Sequence, residues 1–141
     1  MIRRALITAA LLLAAATAQA SEPKKEGKGD VGQYVDLQTV GLPIVSKGRL
    51  VNYVFVYVRI NLTSGASAAK MREKEPFFRD ALVRAGHRTP FTNPADLSSI
   101  DAAKLTAALT REATIIAGPG QIRSVVLTSQ APRRRIRTPR A

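Results

Sequence analysis

The side chains that could do catalytic or metal chemistry are few in this sequence. There is no cysteine, which excludes a thiolate nucleophile and a cysteine-ligated metal site, and His87 is the one histidine. Asp80 and Glu112 fall on predicted helices and could act as general acid and base only if a cleft brought them together. Because Arg84 follows Asp80 by four residues, a helix-surface ion pair also explains Asp80. The residues therefore predict no catalytic site, no metal and no cofactor, and the chain is not expected to be an enzyme.

Positive charge is the stronger chemical signal, because the formal charge is +12 over 141 residues. Five arginines lie close to the C-terminus: Arg133, Arg134, Arg135, Arg137 and Arg140. Guanidinium groups bind phosphate and carboxylate bidentately, so this basic tail is a candidate site for anionic lipid, lipopolysaccharide or an acidic protein. A solvated and disordered terminus is the alternative interpretation.

The first twenty residues have the pattern of a secretory signal. Arg3 and Arg4 precede an apolar run over residues 5–16, and Ala18-Gln19-Ala20 resembles a cleavage site. Cleavage before Ser21 takes 20 residues from the 141 and leaves 121 in the periplasm. The alternative is an inner-membrane anchor facing the periplasm, although the run is shorter than the roughly 20 residues that cross a bilayer. Export also argues against a nucleic acid partner.

The longest regular pattern covers residues 50–62, which alternate with period two and are rich in β-branched side chains. This pattern predicts a long central strand, with an aliphatic row from Val54 to Leu62 facing the core. The opposite row contains Tyr53, Phe55 and Tyr57. Most of this row is expected to pack on the sheet, but aromatic residues also suit interfaces, so these three are a candidate contact with another copy or a partner.

Shorter strands are predicted on both sides of the long one. Residues 34–40 alternate and should end at Gly41-Leu42-Pro43, and residues 44–46 form a short strand before a turn at Lys47-Gly48. Residues 122–130 form the last strand, with Ile122 and Val126 expected on one face and Val125 and Leu127 on the other.

Two helices are predicted between the long strand and the last one. The first covers residues 66–85, with a kink or a fresh start at Pro76 and a buried stripe of Phe78, Leu82 and Ala85 that Met71 or Phe77 joins. Gly86 is expected to end it in a left-handed conformation, which leaves His87 in a loop.

The second helix is expected to start at Ser98-Ser99-Ile100-Asp101, where a serine precedes an acid by three residues, and to run to Ala117. The sequence thus predicts an α+β domain, an antiparallel sheet of about four strands packed by two helices. Its divisions are a signal peptide (1–20), a flexible linker (21–32), the domain (33–130) and a disordered basic tail (131–141).

These elements resemble the periplasmic domain of the flagellar basal-body-associated FliL family over residues 33–130. The resemblance depends on Tyr34-Val35-Asp36-Leu37, on the long strand after Arg49-Leu50 and on Pro76-Phe77-Phe78-Arg79-Asp80-Ala81-Leu82-Val83. The leucine-bearing second helix and Val125-Val126-Leu127-Thr128-Ser129-Gln130 complete it. The arginine tail is additional, and Ser98-Ser99-Ile100 replaces a glycine usual in the family.

The resemblance implies a stomatin/prohibitin/flotillin-like fold and a non-enzymatic module that assembles side by side around the flagellar stator. We therefore expect a periplasmic assembly or binding protein that forms homo-oligomers and has a protein partner in the envelope, such as the stator. The alternative is an exported protein whose arginine tail binds an anionic membrane surface, lipopolysaccharide or an acidic protein.

Overall fold

The computed structural model describes residues 32–136. The predicted signal segment, residues 21–31 of the predicted linker, and Arg137 and Arg140 lie outside the described residues. In chain order the described elements are strands β1 (Tyr34–Asp36), β2 (Val40–Ser46) and β3 (Arg49–Leu62), helices α1 (Ala68–Glu73), α2 (Glu75–Arg88) and α3 (Ala102–Ala117), and strand β4 (Ile122–Pro132).

Strand β3 is the centre of an antiparallel four-stranded sheet. Strand β4 lies along one edge of β3, and β1 and β2 lie end to end along the other edge. Val54, for example, pairs with Leu42 of β2 and with Pro132 of β4. The aliphatic row of β3, from Val54 to Leu62, is at most 3% exposed. The predicted α+β class, the antiparallel sheet and the central position of the long strand are therefore confirmed.

The predicted break at Gly41-Leu42-Pro43 is wrong, because these residues continue β2 and the chain leaves the ladder at residues 37–39 instead. The Val45 N–H donates to the Thr92 hydroxyl, which in turn donates to the Val45 carbonyl. Both backbone groups of Val45 therefore point away from β3. Pro43, two residues earlier, faces the same way. Its missing N–H therefore costs no bond to β3, and an edge strand tolerates it.

The turn between β2 and β3 has two residues, as predicted. Ser46 pairs with Arg49 across it. Lys47 and Gly48 have φ angles of 50° and 73°. Positive φ at both central residues is the requirement of the type I′ turn, whose twist matches that of the strands it joins.

The first predicted helix is two separate helices, so three helices and not the predicted two pack on the sheet. Of the two outcomes expected at Pro76, the structure shows a fresh start and not a kink. Helix α1 ends at Glu73, and Pro76 lies in the first turn of α2, where a backbone N–H has no helical acceptor. Phe78 and Leu82 are fully buried, as is most of Met71, whereas Phe77 is 63% exposed. The stripe that packs on the sheet thus includes Met71 and not Phe77.

Helix α2 does not end at Gly86, contrary to the prediction, but continues to Arg88. A Cβ at position 86 would lie 2.8 Å from Cδ2 of Leu42, which is fully buried in β2. Glycine therefore allows the helix to approach the sheet closely and does not form a left-handed turn. As a consequence His87 lies in the last helical turn and not in a loop.

Helix α3 begins later than the predicted serine cap. Asp101 is the N-cap, and its carboxylate accepts a hydrogen bond from the Lys104 N–H at 3.1 Å. The Ser98 hydroxyl is bonded elsewhere, to the backbone of Ile136. The predicted end at Ala117 is confirmed, and Gly118 follows with a φ of 91°.

Strand β4 contains two irregularities that the alternation did not reveal. Ile122 pairs with Leu62 and Ser124 pairs with Asn61, so that Arg123 is an extra residue on β4. Ile122 therefore packs against the core, opposite to Val126, and the prediction that these two share a face is wrong. A second shift falls at Thr128, and the strand continues to Pro132.

Candidate functional site

The helices cover one face of the sheet and leave the other face open within residues 32–136. Alternation along β3 places Tyr53, Phe55 and Tyr57 on the open side. Phe55 and Tyr57 are 42% and 45% exposed, and Tyr53 is half-buried. The structure thus brings the three predicted interface residues into one row on an uncovered surface.

The uncovered surface extends to the strands beside β3. Tyr34 of β1 stacks under the Arg59 guanidinium, and Val126 of β4 pairs with Arg59 and is 42% exposed. All three tyrosines of the sequence therefore lie here. We call this surface the open face, and define it as Tyr34, Tyr53, Phe55, Tyr57, Arg59 and Val126. Tyr34 and Val126 could not be assigned to this surface from the sequence, because their position on it depends on the strand register.

At the centre of the open face a glycine lies opposite Phe55. Gly41 pairs with Phe55 across the β2–β3 ladder. A Cβ on Gly41 would lie 3.4 Å from the Phe55 ring. The ring therefore covers the neighbouring backbone, and its outer surface remains available to a partner.

One end of the open face carries a charge pair. The Arg59 guanidinium donates to both carboxylate oxygens of Asp36, at 2.7 and 3.0 Å. Its central carbon lies 3.8 Å from the centroid of the Tyr34 ring, which is a cation–π distance. The hydrogen bond that Arg59 donates to Asp36 raises the pKa of Arg59 above its ordinary value.

The first arginines of the predicted tail are held against the fold by Asn52. Among the described residues Asn52 is the only polar one that is buried, at 3% exposure. Its amide donates to the Arg134 carbonyl at 2.7 Å and accepts from the Arg134 N–H at 3.2 Å. The alternation of β3 offered a signal in the sequence, because Asn52 lies two residues before Val54 and therefore continues the core-facing row.

A second polar residue holds the chain two positions later. The Ser98 hydroxyl accepts from the Ile136 N–H at 2.7 Å and donates to the Ile136 carbonyl at 3.3 Å. Ala131 and Pro132 belong to β4. The predicted boundary of a disordered tail at residue 131 is therefore wrong for residues 131–136, because backbone polar groups of this segment have partners in the domain.

These contacts place three arginines beside the β2–β3 turn. The Arg133 N–H donates to the Tyr53 carbonyl at 2.8 Å, and the Arg134 guanidinium donates to the Val51 carbonyl at 3.1 Å. Leu50, the residue before Val51, is 54% exposed. We call this region the basic end, and define it as Lys47, Arg49, Leu50, Arg133, Arg134 and Arg135, all of which are exposed.

The residues considered for catalysis do not form one site. Asp80 pairs with Arg84 at 3.1 Å, as its spacing suggested, and Glu112 lies 3.8 Å from Arg88. Nδ1 of His87 lies 2.8 Å from the Val83 carbonyl in its own helix. Each group thus has a partner of its own.

A cavity of about 340 Å³ lies between α2 and α3. Phe91 and three alanines form its apolar part, and Glu112 is the one carboxylate among its lining residues, with the cations Arg88, Lys104 and Arg111. Within residues 32–136 no group of three or more histidine, cysteine or acidic side chains is arranged to hold a metal ion.

In the same part of the chain no helix has the length and apolar character needed to cross a membrane. No protein-family model matches this sequence, and no match was found among curated proteins.

Proposed function

We propose that this protein is a non-enzymatic assembly module of the bacterial periplasm, similar to FliL, that docks on the flagellar basal body or its stator. The observation that supports the proposal best is the open face. Order and spacing of the elements support the resemblance, and the signal-like sequence at residues 1–20 supports the periplasmic location.

The composition of the open face is that of an interface centre. Tyrosine and phenylalanine bury a large area on association, and tyrosine retains a hydroxyl that can bond to a partner or to water. The exposed Phe55 and Tyr57 lie side by side along the central strand, so a single partner surface can cover both. Their positions on a strand fixed by neighbours on both edges make them a preorganised contact.

Self-association is part of the proposal. Strand β4 is paired only with β3 in the described sheet, and its other edge carries backbone groups that a second copy could pair with. A ring or row built through strand edges leaves the open face available to the partner. Sedimentation of the purified protein at several concentrations tests whether copies associate.

The partner can be tested by crosslinking from the open face in flagellated cells of the source organism. A photoreactive amino acid at position 55 is expected to crosslink to a stator or basal-body protein, identified by mass spectrometry. The matched control is the same amino acid at position 77, because Phe77 is more exposed than Phe55 but lies on α2. Crosslinks from position 77 alone, or products without a flagellar protein, would contradict the proposal.

Two further measurements complete the test. The double substitution Phe55→Ser and Tyr57→Ser should reduce recovery of the flagellar partner at least tenfold, because it removes the apolar centre of the contact. Phe77→Ser should leave recovery unchanged. N-terminal sequencing of the periplasmic protein should begin at Ser21, and a start at Met1 would instead indicate an uncleaved anchor.

A further inference from the structure

We propose that the basic end docks the protein on an anionic lipid surface, with its arginines and lysine on the lipid phosphates and Leu50 in the apolar layer below them. This inference goes beyond the proposed function, because it concerns a different part of the molecule and a different partner. It does not require that the open face bind a flagellar protein.

The backbone of the basic end is held in place on both chain segments that form it. Asn52 and Ser98 hold the backbone of residues 134 and 136 through four hydrogen bonds of 2.7 to 3.3 Å. On the other side, the two-residue turn fixes Lys47 and Arg49. Five cationic side chains are therefore presented together at one end of the sheet, at little cost in chain entropy on binding.

The described residues place no acidic side chain in an ion pair with the five cations of the basic end, although the Arg134 guanidinium donates one hydrogen bond to the Val51 carbonyl. The sheet residues 34–62 and 122–136 contain one acidic residue, Asp36, and it is bonded to Arg59. A lysine or arginine near an anionic membrane contributes about fivefold to binding, so five of them attract such a surface strongly.

The exposed leucine favours a lipid surface over a nucleic acid. Leu50 follows Arg49 directly at the hairpin and is 54% exposed among cations. In a bilayer the phosphates lie at the surface and the apolar layer lies below them. The cations of the basic end can therefore contact the phosphates while Leu50 enters the apolar layer. A nucleic acid backbone would satisfy the cations and leave Leu50 without a partner.

The test is cosedimentation of the naturally processed protein with vesicles. One set contains phosphatidylcholine only, and the other contains phosphatidylcholine and phosphatidylglycerol in equal amounts. We expect binding to the second set, at least tenfold tighter than to the first at about 0.1 M salt, and weaker binding at about 0.5 M salt because screening shortens the range of the attraction.

Three variants locate the contact. Arg133→Gln with Arg135→Gln should weaken binding to the anionic vesicles about 25-fold, on the basis of about fivefold per residue. Leu50→Ser should weaken it severalfold. The matched control is Arg84→Gln with Arg111→Gln, which removes the same charge from exposed positions of α2 and α3 and should change binding less than twofold.

The outcomes separate the alternatives. Equal loss in the control pair would show a general effect of net charge and overturn the proposal. Tighter binding to a single-stranded oligodeoxythymidine than to vesicles, with no effect of Leu50→Ser, would assign the basic end to nucleic acid. Phe55→Ser with Tyr57→Ser should leave vesicle binding intact, so the failure of one proposal is distinguishable from the failure of the other.

Discussion

Both faces of the sheet carry large side chains along β3, aliphatic on one face and mainly aromatic on the other, yet only the aliphatic face is covered. The row from Val54 to Leu62 is at most 3% exposed, whereas Phe55 and Tyr57, between those residues, are 42% and 45% exposed. The helices pack on the first row because their apolar stripes face it. Alternation and side-chain type thus indicate which face of the strand is core, while coverage by other elements decides whether the opposite face is also buried or is free to bind.

Charge differs between the sheet and the layer of helices that covers it. The sheet layer, residues 34–62 and 122–136, holds seven basic residues and one acidic residue, whereas the helical layer, residues 63–121, holds eight basic and six acidic residues. Three of the four salt bridges within the described residues lie in the helical layer. Charge is therefore largely balanced on the helices and unbalanced on the sheet, which is the layer that carries both proposed contacts.

The largest expected effect comes from a charge on the covered face. Val56→Asp should destabilise the domain by about 5 kcal/mol or more, because the carboxylate would be buried without a partner, and this is enough to unfold it. Tyr57→Asp, one residue away on the open face, should leave the domain folded. Circular dichroism and thermal unfolding of both variants test the comparison, and two folded variants of equal stability would refute the assignment of the faces.

The next effect concerns the polar end of the covered face. Asn52→Ala should cost about 2 to 4 kcal/mol, because the backbone groups of Arg134 and the Leu97 carbonyl lose their partner. Hydrogen exchange at the Arg134 amide should accelerate together with the loss of stability. An unchanged melting temperature with unchanged exchange would show that Asn52 does not hold the C-terminal segment.

A smaller difference in stability is expected between alanine substitutions at two glycines that lie on opposite faces of the sheet. Gly86→Ala should destabilise by about 1 to 2 kcal/mol, because its Cβ would displace the fully buried Leu42 and this outweighs the gain in helix propensity. Gly41→Ala should have little effect, since the exposed Phe55 ring can move away. Chemical unfolding of both variants measures the difference, and a stabilised Gly86→Ala protein would contradict the proposed close packing.

The smallest effect is expected at the charge pair of the open face. Asp36→Asn removes the salt bridge to Arg59, but the two side chains are 53% and 36% exposed, so solvent screens the pair. The melting temperature should therefore change less than for Gly86→Ala. A decrease as large as that caused by Asn52→Ala would mean that this end of the open face is structurally coupled to the core.

Much of the fold could be predicted from local pattern. Period-two alternation, helical stripes, a two-residue turn and Pro76 each act within a few residues, so the order of the elements and the sheet centre followed from them. The errors have non-local causes. Pro43 is tolerated because of its edge position, Gly86 is required by a side chain of β2, and Ile122 faces the core because of an extra residue in the ladder.

The candidate site divides in the same way. Tyr53, Phe55 and Tyr57 could be identified from the sequence because they share one row of one strand. The basic end could not, because Arg134 and Asn52 are separated by 82 positions and meet only across the sheet. For the same reason the arginines at 133–135 could not be distinguished in the sequence from a solvated tail.

The sequence by itself therefore determined which segments are strands and helices, which side of β3 is aliphatic, and how much positive charge the chain carries. Only the tertiary structure decided that the opposite, aromatic face is left uncovered and where the arginines at 133–135 lie. The physical reason is that alternation and propensity act between near neighbours, whereas coverage and charge placement depend on contacts between residues far apart in the chain.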